Sequence, residues 1–129
     1  MTPCSIAPWL SVRDAEKAAG FYKAAFDATE VHRLEDPGGG VVLRLSVYGA
    51  EFWLSQESAA PIGPAAESVG GGSVRLILTV ADPDNFFPRA LAAGASEIFP
   101  VGEDHGWRLG RLADPMGMHW EIGCPVAEG

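Results

Sequence analysis

Apolar and polar positions along this chain alternate in several short runs, and two longer runs follow the helical period instead. The alternating runs predict strands, in chain order, at residues 5–12, 29–34, 41–47, 51–56, 73–80, 96–101, 107–111 and 118–122. An apolar stripe at helical spacing predicts a helix over residues 15–26, with Asp14 as its N-cap and Asp27 as a left-handed residue at its end. A second helix is predicted to begin after Asp82 and to run to Ala93.

The last two strands are predicted to form a hairpin around residues 114–117, whose sequence Asp-Pro-Met-Gly is typical of a tight turn. Because side chains alternate between the two faces of a strand, His119 and Glu121 share one face. The opposite face carries the apolar side chains that should pack on the core, namely Met118, Trp120 and Ile122. We expect the neighbouring strand to place Trp107 or Arg108 beside His119 and Glu121.

The order of one strand, one helix and three strands occurs twice, so the chain contains an internal repeat. Val-x-Asp precedes a helix at residues 12–14 and again at residues 80–82. This pattern predicts an α+β fold in which two tandem βαβββ modules, residues 5–56 and 73–124, form a curved mixed sheet that encloses a cup, with the helices on its outer face. Residues 57–72 are rich in small residues, proline and glycine, and are predicted to be a linker or flap within a single domain of residues 1–129.

Composition excludes some classes of partner. The chain has 129 residues, of which 47% are hydrophobic, enough for one domain with its own core. Its formal net charge of −8 argues against nucleic acid or an anionic membrane as a partner. No apolar run reaches the roughly 20 residues of a membrane span, and no signal peptide is visible, so we expect a cytoplasmic protein. Cys4 and Cys124 lack CxxC spacing and are expected to be plain thiols in a reducing compartment.

Several local sequences, together with the repeat, resemble the vicinal oxygen chelate superfamily, which holds glyoxalase I, bleomycin-resistance proteins and extradiol dioxygenases. The similar stretches are residues 10–15 (LSVRDA), 21–26 (FYKAAF), 91–95 (LAAGA) and the hairpin at 107–120. The resemblance covers nearly the whole chain and is closest to the PhnB-like branch. It implies the paired βαβββ fold, whereas activity varies widely over this scaffold.

The metal enzymes of the superfamily hold a divalent ion with side chains from four strands of the cup. At the matching positions this chain has Ala7, Trp53, Arg75 and Glu121. Only Glu121 is a plausible ligand, and a hard or borderline cation needs several oxygen or nitrogen donors together. The resemblance therefore implies no metal cofactor here. The alternative is that a divalent metal binds through Glu121, His119 and further ligands that this matching of positions misplaces.

Strand parity predicts a cup lining that does not depend on a metal. The candidate ligand-binding residues are Trp9, Trp53, Arg75, Trp107, His119 and Glu121. The three tryptophans would form aromatic walls and the other three would supply convergent polar groups, as in small-molecule pockets. Arg75 could instead pair with Glu121 only to neutralise two buried charges. If the protein is an enzyme, His119 and Glu121 are the candidate catalytic acid–base pair. The histidines outside this set, His32 and His105, are expected to be solvated.

Three functional hypotheses follow. The first is a metal-independent binding protein that holds a planar or aromatic small molecule, and the acidic net charge would suit a cationic compound. The second is a metal-dependent enzyme of the glyoxalase or dioxygenase type (lyase, isomerase or oxygenase) that uses Glu121 and His119. The third is a scaffold whose ancestral site has become a packed core. The missing ligands favour the first. The resemblance also implies a homodimer, because relatives complete their cups by pairing modules across chains.

Overall fold

Two successive βαβββ modules make up the chain. The computed structural model describes residues 3–35, 37, 40–56 and 74–126, and the structural statements that follow concern these residues. The first module contains β1 (Trp9–Val12), α1 (Ala15–Phe26), β2 (Thr29–Glu35), β3 (Val41–Val47) and β4 (Ala50–Gln56). The second contains β5 (Arg75–Thr79), α2 (Pro83–Ala92), β6 (Ser96–Asp104), β7 (Trp107–Ala113) and β8 (His119–Pro125). The predicted linker at residues 57–72 lies outside the described residues.

Each module forms a four-stranded sheet, and the two sheets have the same topology. Their strand orders are β1-β4-β3-β2 and β5-β8-β7-β6. The first strand of each module runs parallel to the last, and the other pairs are antiparallel. Because a parallel pair needs a crossover, the helix of each module is placed on one face of its sheet. The predicted α+β fold class and internal repeat are confirmed.

The helices begin and end where their capping residues predict. The side chain of Asp14 accepts a hydrogen bond from the backbone N–H of Lys17, and Asp27 is left-handed with φ 58°. Asp82 caps α2 in the same way, and Pro88 lies inside α2 without ending it. In the described part of the chain, neither helix is long and apolar enough to cross a membrane.

Several strand ends differ from the predicted bounds. The first strand begins only at Trp9, not at residue 5, and β8 continues beyond residue 122 to Pro125. The strand predicted at residues 96–101 is longer in the structure, because β6 extends to Asp104 and only His105 and Gly106 form the turn before β7. The ladder between β6 and β7 continues through Asp104 opposite Trp107, because backbone pairing does not require apolar side chains where the strand is exposed.

A single core is shared by both modules. The rings of Tyr22 and Phe26 in α1 lie 5.7 and 4.9 Å from the ring of Trp120 in β8, and Phe26 stacks on Phe86 of α2 at 5.7 Å. Trp120 and Ile122 are buried, as strand parity predicts. Because both helices pack together on this core, the helix-free face of each sheet is the one left open.

Candidate functional site

A row of side chains crosses the helix-free face of the first sheet at one level. Trp53 in β4 lies opposite Trp9 in β1 and Arg44 in β3, and Arg44 in turn lies opposite His32 in β2. The indole rings of Trp9 and Trp53 are stacked, with centroids 5.7 Å apart and planes 14° apart. The Arg44 guanidinium lies 5.3 Å from the centroid of the Trp53 ring. His32 is exposed, as expected, but its ring also contacts Trp53 at 6.3 Å.

The stacked pair Trp9–Trp53, here called the indole platform, is held in place from within its own sheet. The Trp9 Nε1–H donates a hydrogen bond of 2.8 Å to the hydroxyl of Ser55, which is buried. Arg44 is paired with Glu51 at 3.5 Å. Trp9 nevertheless remains 49% exposed. The indole platform is therefore an oriented aromatic surface of which Trp9 is about half exposed to solvent.

The equivalent row on the second sheet is charged rather than aromatic. Glu121 in β8 lies opposite Ile77 in β5 and Arg111 in β7, and Arg111 lies opposite Phe99 in β6. Arg111 Nη2 donates a hydrogen bond of 2.9 Å to Glu121 Oε1, and its guanidinium lies 5.2 Å from the centroid of the Phe99 ring. Arg75 Nε lies 3.8 Å from the same Glu121 oxygen. Glu121 is thus held between two arginines.

The structure divides the six predicted site residues between the two sheets. Trp9 and Trp53 form the indole platform on the first sheet. The other four, Arg75, Trp107, His119 and Glu121, lie on the second sheet. His119 is directly opposite Arg75, so it lies next to the charged row. Trp107 lines a groove of about 460 Å³ along β6 and β7 that also includes Arg111 and Glu121. Sequence reasoning identified these residues but not their division into two clusters.

Sequence reasoning missed the arginine at the centre of each row. Arg44 and Arg111 occupy equivalent positions, each beside an aromatic ring. Of the two side chains expected beside Glu121, Trp107 lines the same groove as Glu121. Arg108 instead points to the helix side and donates two hydrogen bonds to Asp84, at 2.6 and 2.7 Å. Parity along β7 already placed Arg111 with Trp107. What the sequence lacked was the register that puts Arg111 opposite Glu121.

The residues at the metal position do not fit a metal ion. Trp53 and Arg75 offer no donor for a cation, and Glu121 is already paired with Arg75 and Arg111. Two guanidinium groups beside the one carboxylate would repel a dication placed there. Across residues 3–35, 37, 40–56 and 74–126, no group of three or more His, Cys, Asp or Glu side chains could hold a metal. The groups that the two rows present are stacked aromatic rings and ion-paired side chains.

Comparison with known proteins assigns the fold to a family. The family model for the glyoxalase-like domain matches residues 9–123. The chain therefore belongs to the glyoxalase-like domain family, within the vicinal oxygen chelate superfamily.

The similar proteins extend over nearly the whole chain. Protein Rv0887c of Mycobacterium tuberculosis, described as uncharacterised, is 39% identical over 96% of this chain and 76% of its own length. The solved structure of the At5g48480 gene product from Arabidopsis thaliana is 27% identical, with a TM-score of 0.75 over 94% of this chain and 98% of its own. A glyoxalase/bleomycin resistance protein/dioxygenase family enzyme from Burkholderia phytofirmans is 21% identical, with a TM-score of 0.71 over 91% and 94%. At that identity the last similarity concerns the fold alone.

Proposed function

We propose that this protein binds a planar or aromatic small molecule without a metal, and that the ligand stacks on the indole platform. The observation that carries the proposal is the parallel stack of Trp9 on Trp53 on an open sheet face. Within the superfamily, the sequence resemblance favours a position near the PhnB-like branch. The two free thiols, Cys4 and Cys124, favour a reducing compartment such as the cytoplasm.

The energetics of the indole platform support binding rather than packing. A core tryptophan would be buried, as Trp120 is, but Trp9 leaves about half of its surface exposed. A ring placed on it would gain about 0.5–1.5 kcal/mol from stacking, in addition to the apolar area that it buries. The hydrogen bond from Trp9 to Ser55 already orients the indole. Less side-chain entropy is therefore lost when a ligand binds.

We also propose that the protein is a homodimer. Both helices of one chain pack on the shared core. Among the residues that the structure describes, no other element therefore covers the helix-free face of either sheet. A second copy would supply that wall by placing its charged row against the indole platform of the first. The dimer would then carry two equivalent sites, as two-fold symmetry requires.

Tryptophan fluorescence quenching tests the binding proposal. We expect saturable quenching by planar bicyclic compounds, and we expect Trp9→Ala to weaken binding at least tenfold. The matched control is Tyr48→Asn, which removes an exposed ring from a left-handed position that asparagine tolerates, away from the indole platform. The proposal fails if no planar compound binds, or if both variants weaken binding equally. Binding that requires added zinc, nickel, manganese or iron(II) would replace it with the metal-enzyme hypothesis.

The molar mass in solution tests the dimer proposal. Light scattering behind size exclusion should give twice the chain mass of 13.6 kDa. A monomer at the concentrations used for ligand binding would contradict the two-chain site.

A further inference from the structure

We infer that the ligand of this site carries an anionic group, and that Arg75 and Arg111 bind that group beside Glu121. This inference rests on the proposed function and adds the chemical class of the ligand. The inference concerns the charge of the ligand and not its source. Both a carboxylate and a phosphate ester carry the negative charge that the two arginines would bind.

The charges of the second row do not balance. Arg75 and Arg111 both approach the single oxygen Oε1 of Glu121, at 3.8 and 2.9 Å. With two positive side chains and one negative side chain, this group of three has a net charge of +1. The side chains of Arg111 and Glu121 are only 21% and 16% exposed and pair with each other, so the excess positive charge lies on Arg75, whose side chain is 55% exposed. Arg75 is therefore accessible to an anionic group placed beside the Arg111–Glu121 pair.

Arg111 also has an unused donor at this place. Its Nε–H is buried and has no acceptor, although Nη2 donates to Glu121. Buried donors normally have partners, and the edge of a guanidinium suits the two oxygens of an anion. Arg44, at the equivalent position beside the indole platform, differs in this respect, because its Nε lies 3.5 Å from Glu51 Oε1 in an ion pair. The unused donor is therefore a feature of the charged row, where Arg111 lies beside the ring of Phe99.

The acidic end of the groove is the strongest argument for a cationic ligand. Glu103 lines the same groove, and so does Asp104, at the turn between β6 and β7. Asp104 lies opposite Trp107, four residues along β7 from Arg111, a distance of roughly 13 Å at strand spacing. Asp104 is exposed, and its separation from Arg111 exceeds the Debye length of about 8–10 Å, so water and salt screen its charge at the two arginines. The anion therefore has the larger electrostatic gain.

Three probes that share one ring system test the inference: 2-naphthoate, 2-naphthamide and 2-naphthylmethylammonium, with charges of −1, 0 and +1. We expect 2-naphthoate to bind at least tenfold more tightly than the amide, and the ammonium compound to bind most weakly. Arg75→Gln should lower the affinity for 2-naphthoate about tenfold and leave that for the amide unchanged. Arg75 is 55% exposed, so this variant should fold. The control is Lys17→Gln, because it makes the same charge change at an exposed position of α1.

The outcomes separate this inference from the proposed function. Equal or tighter binding of the amide or the ammonium probe would overturn the anionic ligand and leave the indole platform as a binding surface. Equal losses of 2-naphthoate affinity in Arg75→Gln and Lys17→Gln would overturn it as well, because only the overall charge would then matter. If none of the three probes binds, both proposals fail. Tighter binding of 2-naphthyl phosphate than of 2-naphthoate would support the inference and identify a phosphate-type group.

Discussion

Replacing Asp114 with alanine should leave four hydrogen-bond donors in the core without an acceptor. Asp114 lies at the start of the turn between β7 and β8 and is 4% exposed. Its carboxylate joins the last hairpin to α1 of the other module. The donors to it are the hydroxyl of Tyr22 at 2.6 Å, the indole N–H of Trp120 at 2.8 Å, and the backbone N–H groups of Met116 and Met118 at 3.0 and 2.9 Å.

The size of the effect follows from these contacts. A buried donor that loses its acceptor costs about 1–3 kcal/mol. Even if the Tyr22 hydroxyl rotates to a new partner, three donors remain, so Asp114→Ala should lower the free energy of unfolding by at least about 3 kcal/mol. A domain of this size has about 5–15 kcal/mol in total. Tyr22→Phe removes a single donor and leaves the carboxylate with three, so it should cost only about 1–2 kcal/mol.

Urea denaturation followed by far-ultraviolet circular dichroism at pH 7 measures both variants against the unmodified chain. The reasoning would be refuted if Asp114→Ala came within 1 kcal/mol of the unmodified chain, or if Tyr22→Phe cost as much as Asp114→Ala. Either result would mean that the four donors find other acceptors and that Asp114 does not join the modules.

The pH dependence gives a second measurement on the same group. Burial raises the pKa of the Asp114 carboxyl above its ordinary value, although the hydrogen bonds oppose this. The folded state then holds the proton more tightly than the unfolded state, whose pKa is about 3.9. Stability from this group is therefore fully present below about pH 3.9 and is lost as the pH rises through the folded pKa. As the pH rises from the unfolded pKa to the folded pKa, the stability advantage of the unmodified chain over Asp114→Asn should therefore shrink. An advantage that grew with pH would contradict the direction of this pKa shift.

Two further predictions concern the backbone and an exposed ion pair. Gly123→Ala would place a Cβ 2.5 Å from the backbone oxygen of Arg108 and should destabilise the protein by about 1–3 kcal/mol, whereas Gly20→Ala, in open space on α1, should stabilise it by about 0.5–1 kcal/mol. Thermal unfolding compares the two, and equal shifts would contradict the register of β7 with β8. The hydrogen bond from Arg89 lowers the pKa of Asp27 to about 2, so stability from this pair is present above the unfolded pKa and lost as the pH falls toward 2. The difference in melting temperature between the unmodified chain and Asp27→Asn should accordingly disappear near pH 2, and a difference that persisted there would show another cause.

Local signals explain how much of the fold could be predicted. Asp14 and Asp82 are capping residues whose effect acts within one helical turn, and α1 begins and ends where the pattern indicates. Strand parity assigned Trp120 to the core and Glu121 to the open face. The repeat of the same signals in each half implied two modules. These predictions succeeded because each depends on residues that are close along the chain.

The candidate site depends instead on contacts between strands that are distant in sequence. Parity placed Trp9 and Trp53 on equivalent faces, but only the register of β1 against β4 stacks their rings. A shift of one residue between β7 and β8 would have brought Gly110 or Leu112, rather than Arg111, to Glu121. The pairing of each module's strands into a sheet of their own also decided that the aromatic row and the charged row lie on separate sheets. The sequence by itself determined which side chains face away from the core, and the tertiary structure decided which of them meet, because register and module packing are set by contacts between strands and helices that no local pattern encodes.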